Sequence, residues 1–374
     1  MNLFNVYPLY DVTPVKAEGM HVWDDKNVKY LDMYSGHGVI SIGHTHPHYV
    51  SKLNEQVSKI GFYSNAIQNP LQKELAQKLG KLSDCEDYEL FLCSSGAEAN
   101  ENALKLASFH TEKTRVIAFN KAFHGRTSGA VAATDNPRIN APINKQQVTT
   151  FLPLNDSAAV EAELKKGDVC CVIIEGIQGV GGLDQGTPEF FKDLERLCNE
   201  YNVIFILDEI QSGYGRTGKF FAFQHHGITP DIITTAKGMG NGFPIGGVLI
   251  SQKIEASFGL LGTTFGGSHL ACAAGIAVLD ILEKENLIQN AEEVGAYFAE
   301  QAATIPQIKN IKGKGLMAGV EFDFEVGELR KKLIYDKNIF TGGAVNKNLL
   351  RILPPLTVSK ADVDEFIAAV KAVL

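Results

Sequence analysis

The stretch VCCVIIEGIQGVGGLDQGTPEFFKDLERLCNEYNVIFILDE, residues 169–209, decides the fold. It opens on an apolar run and passes through a glycine-rich loop. It continues into PEFFKDLERLCNEY (188–201), where Pro188 suits a first helical position. It closes on a second apolar run that ends in Asp208 and Glu209. Both runs are too short for helices and apolar without alternation. That pattern predicts strands buried on both faces, as in a parallel sheet covered by helices. Similar runs occur outward in both directions: ELFLC (89–93), RVIAF (115–119), DIITTAK (231–237) and GGVLIS (246–251). Between them EANENALKLASFH (98–110) gathers Ala99, Ala103, Leu106 and Ala107 on one helical side. Strand–helix alternation of this kind predicts a doubly wound α/β core.

The chain ends read differently. EGMHVWDDKNVKYLDMYSG (18–36) resembles a two-stranded ribbon with a DDKN turn. Helices are expected near 269–284 and 287–304, a strand at 315–322, and a terminal amphipathic helix from 361. The expected organisation is a large domain over 56–270 and a smaller one built from 1–55 and 271–374. Of the 374 residues, 45% are hydrophobic and 21% charged, which excludes a disordered chain, a fibrous repeat and a small disulfide scaffold. The net charge of −8 gives no bulk attraction for nucleic acid or for an anionic membrane. No apolar run reaches about 20 residues, so no membrane span is expected. The start, MNLFNVYPLYDV, lacks the basic region and apolar stretch of a signal peptide. Of the six cysteines, none forms a C-x-x-C pair, and Cys170 and Cys171 are expected as buried free thiols. Reduced thiols suit a cytoplasmic location.

Four short stretches carry chemistry. Asp208 stands at the carboxyl end of an apolar run, where open α/β sheets bind ligands. A carboxylate there can meet a cationic ring nitrogen, and Ile210, two residues on, can pack on a flat ring. A helix cap or a metal ligand would use the same aspartate. Lys237 ends another buried run, where a lysine is costly to desolvate unless its charge is lost or paired. A neutral amine is what imine formation with an aldehyde needs, although a lone edge lysine can also snorkel to water. Ser95, Gly96 and Ala97 follow a strand and open a helix, an anion site suited to a phosphate or an ordinary serine cap. FHGRT (123–127) offers Phe123 for stacking on a heteroaromatic ring and Arg126 for a substrate carboxylate; core packing and a surface arginine are the plain readings. A phosphate cradle, a lysine for an aldehyde and an aspartate for a ring nitrogen together match pyridoxal 5′-phosphate (PLP), whose ring acts as an electron sink.

Nearly end to end, the chain resembles the fold-type I, class III PLP-dependent aminotransferases, within them the acetylornithine/succinylornithine group. The resemblance rests on VWDDKNVKYLDMYSG (22–36), GHTHP (43–47), SSGAEANENALKLA (94–107), FHGRT, IEGIQGVGG (174–182), LDEIQSGYGRTG (207–218), AKGMGNGFPIGG (236–247), TTFGGSHLACAAG (263–275) and RILPPL (351–356). It implies a mostly parallel seven-stranded sheet between helices, a smaller α+β domain, and a homodimer with shared active sites. Lys237 would be the Schiff-base lysine and proton shuttle. Asp208 would keep the pyridine nitrogen protonated. Phe123 and Ile210 would sandwich the ring, Gln211 would meet its hydroxyl, and Ser95, Gly96 and Ala97 would hold the phosphate. Thr264 would add a phosphate contact from the neighbouring subunit. Thr263 and Arg126 resemble contacts to the acylated ornithine, Arg351 the arginine that grips the α-carboxylate of glutamate or 2-oxoglutarate, and Glu175 a supporting acid.

The implied reaction transfers the terminal amine of acetyl- or succinylornithine to 2-oxoglutarate, giving a semialdehyde and glutamate, as in arginine biosynthesis. Donors such as 4-aminobutyrate or ornithine, an aminomutase or racemase, and a protein that merely holds PLP are the alternatives. One departure matters. Where the family commonly reads EPIQGEGG, this chain has IEGIQGVGG, so Val180 replaces a glutamate that in relatives can pair with the arginine matching Arg351. Val180 cannot pair, so Arg351 is expected to stand without it. His44, His46 and His48 alternate like a metal strip, but Pro47 interrupts any strand there, and no metal site is expected.

Overall fold

The computed structural model describes all 374 residues. Near the amino end, β1 (Pro14–Glu18), β2 (His21–Asp24) and β3 (Lys29–Asp32) form an antiparallel meander. Asp24 closes the β2–β3 turn, its Oδ1 accepting from Lys26 N at 3.0 Å and Val28 N at 2.8 Å. Seven strands follow: β4 (Glu89–Cys93), β5 (Arg115–Phe119), β6 (Thr149–Leu152), β7 (Val169–Glu175), β8 (Ile204–Asp208), β9 (Ile232–Thr235) and β10 (Gly246–Ile250). They build one sheet in the order β4-β10-β9-β8-β7-β5-β6. Later come β11 (Asn310–Lys314), β12 (Met317–Glu321), β13 (Ile339–Phe340) and β14 (Leu349–Ile352). β13 pairs in parallel with β3, so the two ends of the chain share a sheet. β11, β12 and β14 form a third sheet.

Residues 169–209 fold as read. Every residue of β7 and β8 is buried, and Thr187 caps the helix Pro188–Glu200 by accepting from Phe190 N at 3.2 Å. That helix turns Phe190, Phe191, Leu194, Leu197 and Cys198 inward. The parallel register sets Glu175 opposite Asp208 at the carboxyl ends of the two strands. The helix Gly96–Thr111 likewise lays Ala99, Ala103, Leu106 and Ala107 on the sheet. The two helices expected after residue 269 span His269–Lys284 and Leu287–Ala302, and the terminal helix spans Lys360–Val373.

Two readings of the apolar runs need correction. β10 is antiparallel to both β9 and β4. The connection 236–245 is too short for a crossover helix, so the chain can only turn back beside β9. β4 is an edge strand: Glu89 is exposed and Leu90 and Phe91 are half-buried, so it is not covered on both faces. Its place still serves the site, because Cys93 lies opposite Gly246 and the chain then turns directly into Ser94 and Ser95. All six cysteines are free and buried, and the sulfurs of Cys170 and Cys171 lie 3.7 Å apart. No helix is long and apolar enough to cross a membrane.

Candidate functional site

The carboxyl ends of β7, β8 and β9 and the turn after β4 surround a cavity of about 370 Å³. That lies within the common range for small-molecule sites, about 300–1,000 Å³. Asp208, Lys237, Glu175, Ser95, Gly96, Ala97, Phe123, Ile210, Gln211 and Arg126 all line it. Sequence positions from 95 to 237 thus converge on one space.

Asp208 is 4% exposed and closely held. Its Oδ2 accepts from Asn100 Nδ2 at 2.7 Å and lies 2.7 Å from His124 Nδ1; its Oδ1 accepts from Ile210 N at 3.1 Å. Asn100 is fixed in turn, its Oδ1 accepting from Thr234 Oγ1 at 2.7 Å and its Nδ2 also donating to His124 O at 2.7 Å. His124 and Asn100 were not assigned from the sequence. Both lay inside quoted motifs, and a buried asparagine beside Ala99 on an otherwise apolar helix face is the signal that points to it.

Lys237 follows β9 with φ +41°, a left-handed conformation that a side chain adopts at some cost and that clusters at functional sites. Burial lowers the pKa of its amine, while the charges of Asp208 and Glu175 act in the opposite direction. Glu175 Oε1 accepts from Phe123 N at 3.0 Å and Oε2 from Gly179 N at 2.8 Å. Burial nevertheless pushes its carboxyl up to about 7. Glu209, fully buried after Asp208, accepts from Ser212 Oγ, Ala222 N and Phe223 N at 2.6–2.9 Å and is likewise pushed up to about 7 by burial.

Raised carboxyls have a consequence for stability. Between the unfolded value near 4.5 and about 7, the folded protein holds protons that the unfolded chain has released. Stability from these groups is therefore present below pH 4.5 and is lost as pH rises through about 7. Denaturant unfolding from pH 5 to 8 is expected to show a shallower pH slope in Glu175→Gln and in Glu209→Gln than in the parent. An unchanged slope in both variants contradicts the assignment.

The residues present fit PLP. Ser95 caps the helix Gly96–Thr111, its Oγ accepting from Glu98 N at 3.2 Å, so the first turn of that helix faces the cavity. A Cβ on Gly96 would stand 2.8 Å from Ile210 Cγ2, so only glycine lets this backbone pass against the side chain that borders the ring space. Gln211 donates Nε2 to His37 O at 2.9 Å, while its Oε1 is buried without a partner, an acceptor ready for a ligand hydroxyl.

Three expected residues lie elsewhere. Arg351, 4% exposed on β14, lines an adjoining cavity of about 1030 Å³ with Tyr34, His37 and Arg330; Val180 borders both spaces. Thr263 and Thr264 line neither. Thr263 Oγ1 accepts from Gly266 N at 3.1 Å, and Thr264 is exposed. The three histidines of GHTHPH diverge: His44 meets Asp32, His46 meets Glu285 and His48 meets Asp280, at 2.8–3.1 Å. Pro47 opens the helix Pro47–Lys59.

The family described as Aminotransferase class-III matches residues 5–374. The chain is similar to the acetylornithine aminotransferase of Bacillus subtilis, 40% identical over 377 residues that cover 99% of this chain and 97% of that one. The acetylornithine aminotransferase of Aquifex aeolicus is 38% identical, covering 100% of this chain and 99% of its own. Among solved structures, the ornithine aminotransferase of Toxoplasma gondii superposes with a TM-score of 0.91 at 29% identity, covering 98% of this chain and 92% of that one.

Proposed function

The chain belongs to the class III aminotransferases, and on that premise we propose that it moves the terminal amine of an N-acylornithine, acetylornithine first, to 2-oxoglutarate. It is a transaminase, and PLP is its cofactor. When bound, PLP supplies an aldehyde that takes up amines and a ring that accepts electrons from the substrate carbon. The observation that carries the reading is the placement of Lys237 and Asp208 on one cavity, at the ends of neighbouring parallel strands β9 and β8.

The protein's own groups then have distinct tasks. Lys237 Nζ, its basicity reduced by burial, holds the aldehyde and carries a proton to and from the reacting carbon. Asp208, fixed by Asn100 and His124, would set a negative charge against the ring nitrogen. Phe123 and Ile210 would border the ring, Gln211 Oε1 would take its hydroxyl, and Ser95, Gly96 and Ala97 would receive the phosphate, since all of them line the one cavity. Arg126, exposed at the cavity, pairs with the carboxylate of the long donor and positions its far amine. Arg351 receives the carboxylate of the acceptor.

Assembly as a homodimer accords with the large apolar side chains left exposed on the monomer. Phe62 and Phe265 lie with ring centroids 5.4 Å apart, and Tyr63, Ile67 and Phe258 are also exposed. In that assembly Thr264 would add a phosphate contact to the neighbouring subunit, and Thr263 would contact the acylated donor. Six free thiols accord with a cytoplasmic location.

A donor panel tests the substrate. With acetylornithine, succinylornithine, ornithine and 4-aminobutyrate offered to the holoenzyme without acceptor, loss of the bound-aldehyde absorbance is expected fastest with an acylornithine. Ornithine is the second reading, favoured by the likeness to the Toxoplasma enzyme. Faster conversion by ornithine or 4-aminobutyrate overturns the acylornithine assignment.

A further inference from the structure

Arg351 carries its charge into a buried place with no carboxylate on its guanidinium. A guanidinium has five N–H groups. Nε donates to Gly343 O at 2.6 Å, Nη1 to Gly179 O at 2.6 Å and Nη2 to Tyr34 Oη at 2.7 Å. One N–H is left on each terminal nitrogen, and two is the number a carboxylate takes in a bidentate pair. Val180, at the junction of the two cavities, supplies no charge. Burial is the main reason the Arg351 pKa falls; Tyr34 and Glu175 act to raise it and Arg330 to lower it.

The phenol is itself held. Its oxygen lies 2.7 Å from His37 Nδ1. Since that oxygen accepts from Arg351, the phenol hydrogen is free to go to His37. Burial, then Arg351 and Lys237, lower the His37 pKa, which suits an accepting ring. A run of left-handed residues brings the two side chains together: Ser35, Gly36, His37 and Gly38 have φ of 46°, 57°, 71° and 74°. Two of them are not glycine, so the turn is strained and must be held by its surroundings. Asp32 Oδ1 accepts from Tyr34 N at 3.0 Å and Ser35 N at 2.7 Å, and Ser35 Oγ donates to Leu353 O at 2.6 Å. A Cβ on Gly342 would lie 2.0 Å from the Tyr34 ring, so the facing segment is shaped around this tyrosine. His37 O also accepts from Gln211 Nε2, which ties the same turn to the cofactor cavity.

We propose that Tyr34, backed by His37, is a positioning pair that keeps Arg351 permanently presented to a substrate carboxylate. The acceptor is then met by a standing receptor, where an acidic partner would mask the arginine between half-reactions. A phenol fixes the guanidinium without cancelling its charge and leaves two N–H groups free. A carboxylate in its place would occupy those groups and compete with the substrate. The inference rests on the aminotransferase reading and on Arg351 as the carboxylate contact.

The test uses the holoenzyme and glutarate, a five-carbon dicarboxylate with no group to transaminate. Calorimetric titration is made with the parent, Tyr34→Phe, His37→Leu, the double variant and Arg351→Met. Loss of one hydrogen bond to a charged group is expected to weaken glutarate about tenfold in Tyr34→Phe. The KM for 2-oxoglutarate is expected to rise by a similar factor, with a smaller change in kcat and in the KM of the amine donor. His37→Leu is expected to move the same quantities less. The double variant should equal Tyr34→Phe, because His37 acts through the phenol. Unchanged glutarate affinity in Tyr34→Phe, equal losses in both half-reactions, or additive losses in the double variant each overturn the pair. If Tyr34→Phe does not fold, His37→Leu decides alone: unchanged glutarate affinity there overturns it. Unchanged affinity in Arg351→Met overturns instead the underlying assignment of Arg351.

Discussion

Lys237→Ala is expected to fold as the parent does and to lose turnover by about four orders of magnitude or more, since it removes both the nucleophile and the proton carrier. The fold is expected to survive for two reasons. Alanine keeps a Cβ, so the left-handed backbone at φ +41° is no more strained than before. The amine removed is one whose burial disfavours its charge, so its loss does not weaken packing. Borohydride reduction followed by peptide mapping gives a second readout. In the parent it should fix the cofactor on the peptide containing residue 237, and in the variant on none. The variant should still bind PLP through the helix beginning at Gly96 and the faces of Phe123 and Ile210, only less tightly. Turnover within a hundredfold of the parent, or a cofactor fixed on another lysine, contradicts the assignment.

The place of Lys237 and Asp208 at the ends of buried strands was legible because a charged residue closing a buried apolar run is expensive, and the expense marks it. The parallel pair β7 and β8 was legible for a related reason: runs with no alternation have no face for water. What stayed hidden was held by partners far away in the chain. Asn100 and His124 meet Asp208 across 108 and 84 residues, and nothing local in either motif names that partner. Arg351 was read as standing without its glutamate, and no carboxylate does meet it. That Tyr34, 317 residues away, takes the place beside it needed the fold. The direction of β10 depended on the length of one connection rather than on its apolar residues, which fit either direction. β6 was passed over because Thr149, Thr150 and Phe151 are only half-buried at the sheet's other edge, so its run is short and mixed.

The second large effect is expected at Asp208. In Asp208→Asn the amide oxygen can still accept from Asn100 and His124, and only the bond from Ile210 N is given up. The charge is gone, and with it the reason for a ring nitrogen to stay protonated. Loss of one preorganised electrostatic contact to the reacting system costs about 10²–10³ in kcat. His124→Ala leaves the carboxylate in place but removes the side chain that orients it, and the loss of an orienting partner behind a functional group is typically about 10–100-fold. Asp208→Asn and His124→Ala combined should then be little worse than Asp208→Asn alone, because the histidine works through the carboxylate. A structural role would not produce that ranking, nor the accompanying spectroscopic change. The absorbance of the bound cofactor should respond to pH at lower values in Asp208→Asn than in the parent, as the ring nitrogen gives up its proton more readily. Should Asp208→Asn retain kcat within tenfold of the parent, the carboxylate is a packing element of the 100–124–208 cluster, and the electron-withdrawing ring must be sustained by another group.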